Sequence, residues 1–369
     1  MSAAAQRKSD NGPLRFLPVR TIWTLALNAQ LAVPAAYDAE RAFFAIAGER
    51  LVAYDVASGT QQWIVDARPR LRPAIGDGLL FSAEPDALVA RRISDGSVDW
   101  QKALTDAIAT PPVWDNGWLV VATDGGSILT FRAKDGELIW RKEVGSRAHA
   151  VPALAADRVY VPTEDGRLVA LQVEDGATVW ERRLGGAVGE ILALEDRVYA
   201  GTKDQFLYCV LAKDGHVDWR WRTGGPVVGA PVADERNIYF AAMDNVLRAL
   251  SRTSGAQRWI RPLPLRPAWP PVMAGQTLIV SGQASNLRFY DTKDGKPAGD
   301  LSNDAEVADA PRVFAGADPE LPHVLVITRD IAKGAAARLV AHSFDPESSI
   351  LSSPLPNVIS MEPKSTDKP

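Results

Sequence analysis

A chain of 369 residues with a formal charge of −4, 46% hydrophobic and 23% charged residues has the balance of a folded globular protein, which excludes disorder and collagen. The acidic balance gives no electrostatic footing for nucleic acid, whose phosphates need a basic surface. A single cysteine, Cys209, excludes an intramolecular disulfide and any multi-cysteine zinc or iron–sulfur site, and no run of about 18 apolar residues offers a transmembrane helix.

Residues 1–19 are small and polar and are expected to form a flexible tail. The stretch from Arg20 to Ala36 has some marks of a secretory signal, but its apolar core is short and broken by Asn28 and Gln30. It reads instead as the start of the fold, because Trp23 opens a series: Trp23, Trp63, Trp100, Trp140, Trp180, Trp219 and Trp259 follow one another at intervals of 37 to 40 residues. A Gly turn precedes each Trp after the first, as in Asp95-Gly96, Asp135-Gly136 and Asp175-Gly176. The eighth position in the series is Gly299 after Asp294-Gly295. A second marker keeps register: Pro112, Pro152, Pro231, Pro271 and Pro311 each lie 12 residues beyond the Trp position, with Pro34 and Pro73 slightly nearer. A fixed period near 40 is the signature of a stacked repeat architecture.

Within one unit, Arg158-Val-Tyr-Val-Pro, Arg167-Leu-Val-Ala-Leu-Gln and Thr178-Val-Trp-Glu-Arg-Arg are strand-like runs separated by Asp-Gly turns. The proline-containing stretch before them supplies a fourth strand, so each unit is expected to be one four-stranded antiparallel blade. The last 60 or so residues hold only three such runs, ending in Arg338-Leu-Val-Ala-His-Ser-Phe, and lack a Trp strand. Thr21–Leu27 would complete that set, which predicts an all-β, eight-bladed propeller over residues 20–345 with the final blade closed by the N-terminal strand. The segment from Gly316 to Pro322 reads as an insertion in the last blade, and residues 346–369, rich in Ser, Pro and Lys, as a second flexible tail. The seven register tryptophans are expected to pack between neighbouring blades, covering the turn glycine of the repeat.

The phrase Ala53-Tyr-Asp-Val-Ala-Ser-Gly-Thr-Gln-Gln-Trp63 resembles the pyrroloquinoline-quinone-type (PQQ) propeller repeat. In size and unit count the chain is similar to the BamB-like scaffolds of outer-membrane barrel assembly. That resemblance implies a non-catalytic scaffold for protein partners, a monomer within a larger assembly, placed in the cell envelope or periplasm. No lipobox cysteine precedes Cys209, and a cytoplasmic place stays open. The alternative it implies is a PQQ-type oxidoreductase or small-molecule sensor using the channel mouth. Those enzymes carry an adjacent cysteine pair and a calcium-binding acid set, which this sequence lacks. No cofactor is therefore expected.

No catalytic residue is assigned. His149, His216, His323 and His342 are far apart, and no Gly-x-Ser-x-Gly elbow, phosphate loop or His-Glu-x-x-His occurs. Cys209 lies in an apolar strand and reads as a small core residue, and no metal ligands are assigned. The links that carry the chain from one blade to the next should crowd one mouth of the channel. They hold Arg70, Arg72, Arg147, His149, Glu190, Arg266, Trp269, Glu306 and Asp309. Arg beside an off-register Trp has the composition of interface anchors, so these nine form the expected partner-binding surface.

Overall fold

A computed structural model describes residues 19–314, 322–330 and 336–344. Residues 1–18 of the first expected tail, nearly all of the Gly316–Pro322 insertion and the whole of the tail 346–369 lie outside those residues, whereas Val19 already belongs to a strand. The described chain forms eight antiparallel sheets and no helix. Blade 1 runs outward as Ala36–Tyr37, Arg41–Ile46, Arg50–Asp55 and Gln61–Asp66, each strand pairing with the next. Blades 2 to 7 repeat that order at the sequence period, blade 4 being Ala153–Ala155, Arg158–Pro162, Arg167–Gln172 and Thr178–Arg183.

Burial explains the order. The two middle strands are almost wholly buried, as in Arg158–Pro162 and Arg167–Gln172, because neighbouring blades cover both of their faces. The fourth strand, Thr178–Arg183, buries only Trp180 and leaves the rest at least partly in solvent, as an outer edge strand must. The short first strands of adjacent blades touch one another and ring the central channel.

Blade 8 closes the circle. His323–Asp330 pairs with Ala336–Phe344, and that strand pairs with Val19–Ala26 from the other end of the chain, setting Trp23 opposite Ala341. Its inner strand is split: Glu306–Val307 pairs with Arg329 and Thr328, while Arg312–Phe314 pairs with Leu325, Val324 and His323. The break between them, Ala308 to Pro311, contains Asp309.

The seven register tryptophans each reach from one blade to the next. Each indole N–H donates to a carbonyl of the following blade, Trp63 to Ile93 (2.9 Å), Trp140 to Val173 (2.7 Å) and Trp259 to Thr292 (2.9 Å) among them. Each ring lies on the turn glycine of that blade. The partner on the third strand is small, Ala53 against Trp63, Ala90 against Trp100, Cys209 against Trp219 and Ala249 against Trp259. Where the series ends in Gly299, the sizes are exchanged, and the facing residue is the buried Phe289. Trp269 packs, partly buried, against the same cluster between blades 7 and 8, together with Val272 and Val313.

Candidate functional site

The blade-to-blade links are held by backbone hydrogen bonds that repeat around the ring. Arg70 N–H donates to Ala83 O, His149 to Pro162 O, Ala268 to Ser281 O and Ala308 to Ile327 O, at 2.8 to 3.2 Å. Each acceptor lies at or near the end of a second strand, where that strand turns into the third, so the links and these turns share one face of the ring. Register follows from the same bonds. Arg70 and His149 occupy equivalent positions; Arg147, Arg266 and Glu306 occupy another; Trp269 and Asp309 a third.

The structure brings some of the nine expected residues together and separates others. Arg72 Nη2, in the link that enters blade 2, lies 3.5 Å from Asp309 Oδ1 of the last blade, past the inner end of blade 1. Arg147 pairs with Asp124 at 2.7 Å, both about half exposed, a contact worth little in solvent. His149 Nδ1 is 3.9 Å from Glu164, Glu306 pairs with Arg329 at 3.3 Å, and the Glu190 carboxylate accepts the Ala230 N–H at 3.1 Å. Arg70 and Arg266 are exposed. Two residues depart from the picture of an open charged rim. Trp269 is partly buried between blades, and Asp309 is 4% exposed. The Asp309 carboxylate accepts the N–H groups of Ala35 (3.2 Å) and Ala310 (2.8 Å) as well as facing Arg72, so it is committed to the protein.

Asp309 opens onto a cavity of about 490 Å³ within the channel, on the side of blades 7, 8, 1 and 2. Its polar lining is Tyr37, Arg72, Asp309 and Arg312, and its apolar lining includes Ile75, Val272, Met273 and Val313. Burial holds the Asp309 carboxyl above the usual carboxylate range, and Arg72 opposes that shift. Burial, reinforced by the charge of Asp309, pushes the Tyr37 hydroxyl far above its ordinary value, so it stays protonated and can only donate or accept as a neutral group. The Tyr37 ring packs edge-on against Phe44 and Phe314, with the Arg312 guanidinium 5.9 Å from its centre. Neither Tyr37 nor Arg312 was singled out from sequence. Tyr37 lies in a two-residue strand without a motif, and Arg312 follows a proline that reads only as a repeat marker.

Elsewhere the chemistry is structural. Cys209 is fully buried beneath Trp219, and burial pushes its thiol up to about 12, far from a reactive thiolate. Among the described residues no three His, Cys, Asp or Glu side chains converge as a metal site would require.

The repeat, the eight sheets and the interlocking tryptophans define a PQQ-like β-propeller. A family profile described as outer membrane protein assembly factor BamB matches residues 20–110, 105–194 and 183–313, and the chain belongs to that family. Among solved structures it is similar to BamB from Moraxella catarrhalis, at 17% identity and a TM-score of 0.70 over 89% of this chain and 98% of that one. It is also similar to the computationally designed Ika8 protein, at 13% identity and a TM-score of 0.71 over 85% and 96% of the two chains. A third likeness is to quinohemoprotein alcohol dehydrogenase from Comamonas testosteroni, at 12% identity and a TM-score of 0.68, covering 88% of this chain and 76% of the enzyme. No curated protein matches the sequence. At these identities the structural likenesses speak for the fold.

The calcium that the dehydrogenase resemblance implies does not fit the donor set of this cavity. The cavity presents one carboxylate, Asp309, and its oxygens already face two backbone N–H groups and Arg72. A hard divalent cation takes six to eight oxygen ligands, several of them carboxylate.

Proposed function

We propose that this chain is a non-catalytic scaffold of the cell envelope that binds protein partners in outer-membrane protein assembly. The observation that carries the reading is the family match over residues 20–313, in a family described by that role. The geometry supports it in one respect. The ring fixes its links by backbone hydrogen bonds, and at equivalent positions it presents Arg147, Arg266 and Glu306, cations and an acid on one face. A mixed field of that kind orients a partner, whereas a uniform basic one would favour nucleic acid. Arg70 and Arg266, both exposed, are the residues best placed to test it.

The experiment is complementation. A strain lacking the gene should hold less folded β-barrel protein in its outer membrane, read by heat-modifiable gel mobility. The wild-type gene should restore the amount, and a gene carrying Arg70→Glu with Arg266→Glu should fail to do so although the variant protein folds. Unchanged barrel levels in the deletion strain would refute the role in assembly, and full rescue by the double variant would refute the placement of the surface. Dye reduction by the purified protein after addition of pyrroloquinoline quinone and calcium would favour the oxidoreductase instead.

A further inference from the structure

The channel cavity has a surplus of donors. Asp309 is satisfied by Ala35 N–H, Ala310 N–H and Arg72, which leaves two groups over. The first is the Tyr37 hydroxyl, shut off from solvent and without a hydrogen-bond partner among the described residues. The second is Arg312, exposed and paired with no carboxylate among the described residues. A buried hydroxyl left unpaired costs free energy that a bound acceptor would recover. The lining charges, Arg72 and Arg312 against Asp309, sum to one positive charge. The remaining wall is apolar, with Pro73, Ile75, Val272, Met273, Pro311 and Val313 around a volume in the range of small-molecule sites.

We propose that this cavity binds a small organic monocarboxylate with an apolar body. Its carboxylate is held by Arg312, whose planar guanidinium matches it, and by the Tyr37 hydroxyl as donor once a side-chain shift uncovers it to the cavity; its body lies on the Ile75, Met273 and Val313 wall. One negative charge matches the lining. A phosphate dianion exceeds that charge and gains nothing from the apolar wall. The split inner strand of blade 8 builds the site, because the break that releases Asp309 to hold Arg72 is followed at once by the strand that carries Arg312. The site does not depend on the scaffold role and would be present in a ring with any partner.

The test is calorimetric titration of the full chain with sodium benzoate and sodium hexanoate, with benzyl alcohol and inorganic phosphate in parallel. Saturable one-to-one binding of a carboxylate, with neither control binding comparably, is the expected result. Arg312→Gln should weaken it on the order of tenfold or more, and Tyr37→Phe, which keeps the ring packed on Phe44 and Phe314, on the order of tenfold. Melting curves of both variants establish that they fold. Failure of both carboxylates to bind, equal binding of phosphate or benzyl alcohol, or undiminished affinity in folded Arg312→Gln would each overturn the proposal.

Discussion

The indole of Trp23 lies on Gly59: a Cβ built on that glycine would sit 2.8 Å from Cδ2 of Trp23. Trp23 belongs to the strand that closes the ring, yet it makes the same contact as Trp140 on Gly176, where the corresponding distance to Cε3 is 2.7 Å. The seam between the chain ends is therefore packed as the other inter-blade contacts are.

That contact makes the tryptophan and the glycine interdependent. Trp140→Ala should cost about 3–5 kcal/mol by opening a large cavity between blades. Gly176→Ala should also destabilise, because Gly176 has φ +72° and its new methyl would meet the ring. The two losses should be less than additive in urea denaturation, since removing the indole also removes the clash.

Closure of the ring is tested by truncation. Deleting residues 1–28 removes the strand Val19–Ala26 and exposes the edge of Ala336–Phe344 together with the Trp23 site on blade 1. Its melting temperature should fall well below that of a chain starting at residue 18. Equal melting temperatures would mean that the strand contributes nothing to closure.

Two large aromatic side chains pack in the cluster between blades 7 and 8. Phe289, fully buried opposite Gly299, should cost about 3–5 kcal/mol on truncation to Ala. Trp269, partly buried in the same cluster, should cost about 1–2 kcal/mol. A Trp269→Ala variant as stable as wild type would show that the residue serves only the mouth.

Acid should loosen the closing blade. His342 is buried, with Nδ1 3.5 Å from Thr21 Oγ1, and burial lowers its pKa from the ordinary value of about 6.5. His323 is lowered by burial and by Arg20. As pH falls through about 6.5 the unfolded imidazoles take up protons that the folded ones still refuse, so the unfolded state binds more protons and stability declines from there down to the folded values. Below those values the difference is constant. Replacing His342 by Gln should flatten this slope in a series of denaturation curves, and an unchanged slope would exclude His342 as its source. Asp309, raised by burial, acts with the opposite sign in the carboxylate range.

The ring was legible because its determinants are local and repeated. Each Trp, turn glycine and proline recurs at a fixed interval, and the missing eighth Trp strand could be supplied only from Trp23. The exchange of sizes between Phe289 and Gly299 was not legible, because it depends on which residues face each other across two strands. Asp309 and Trp269 read as exposed for a related reason. Their equivalent places in the links fix the face of the ring, but whether a side chain turns to solvent or inward is decided by neighbours from distant blades, such as Ala35 and Arg72. The cavity escaped notice because Tyr37, Arg72, Asp309 and Arg312 carry no shared motif and meet only in the folded ring.

The pairing of the two chain ends also sets the order in which the molecule can be made. Seven sheets draw their strands from about 40 neighbouring residues, but Thr21 and His342, in paired strands, are 321 positions apart. At about 5–20 residues per second of synthesis, Val19–Ala26 waits roughly 15–60 s for its partner. For that time it is an unpaired strand, and Ile22, which stays exposed even in the finished ring, is open to any passing edge. The final sheet is thus the late, non-local step in a molecule whose other sheets form from neighbours in sequence.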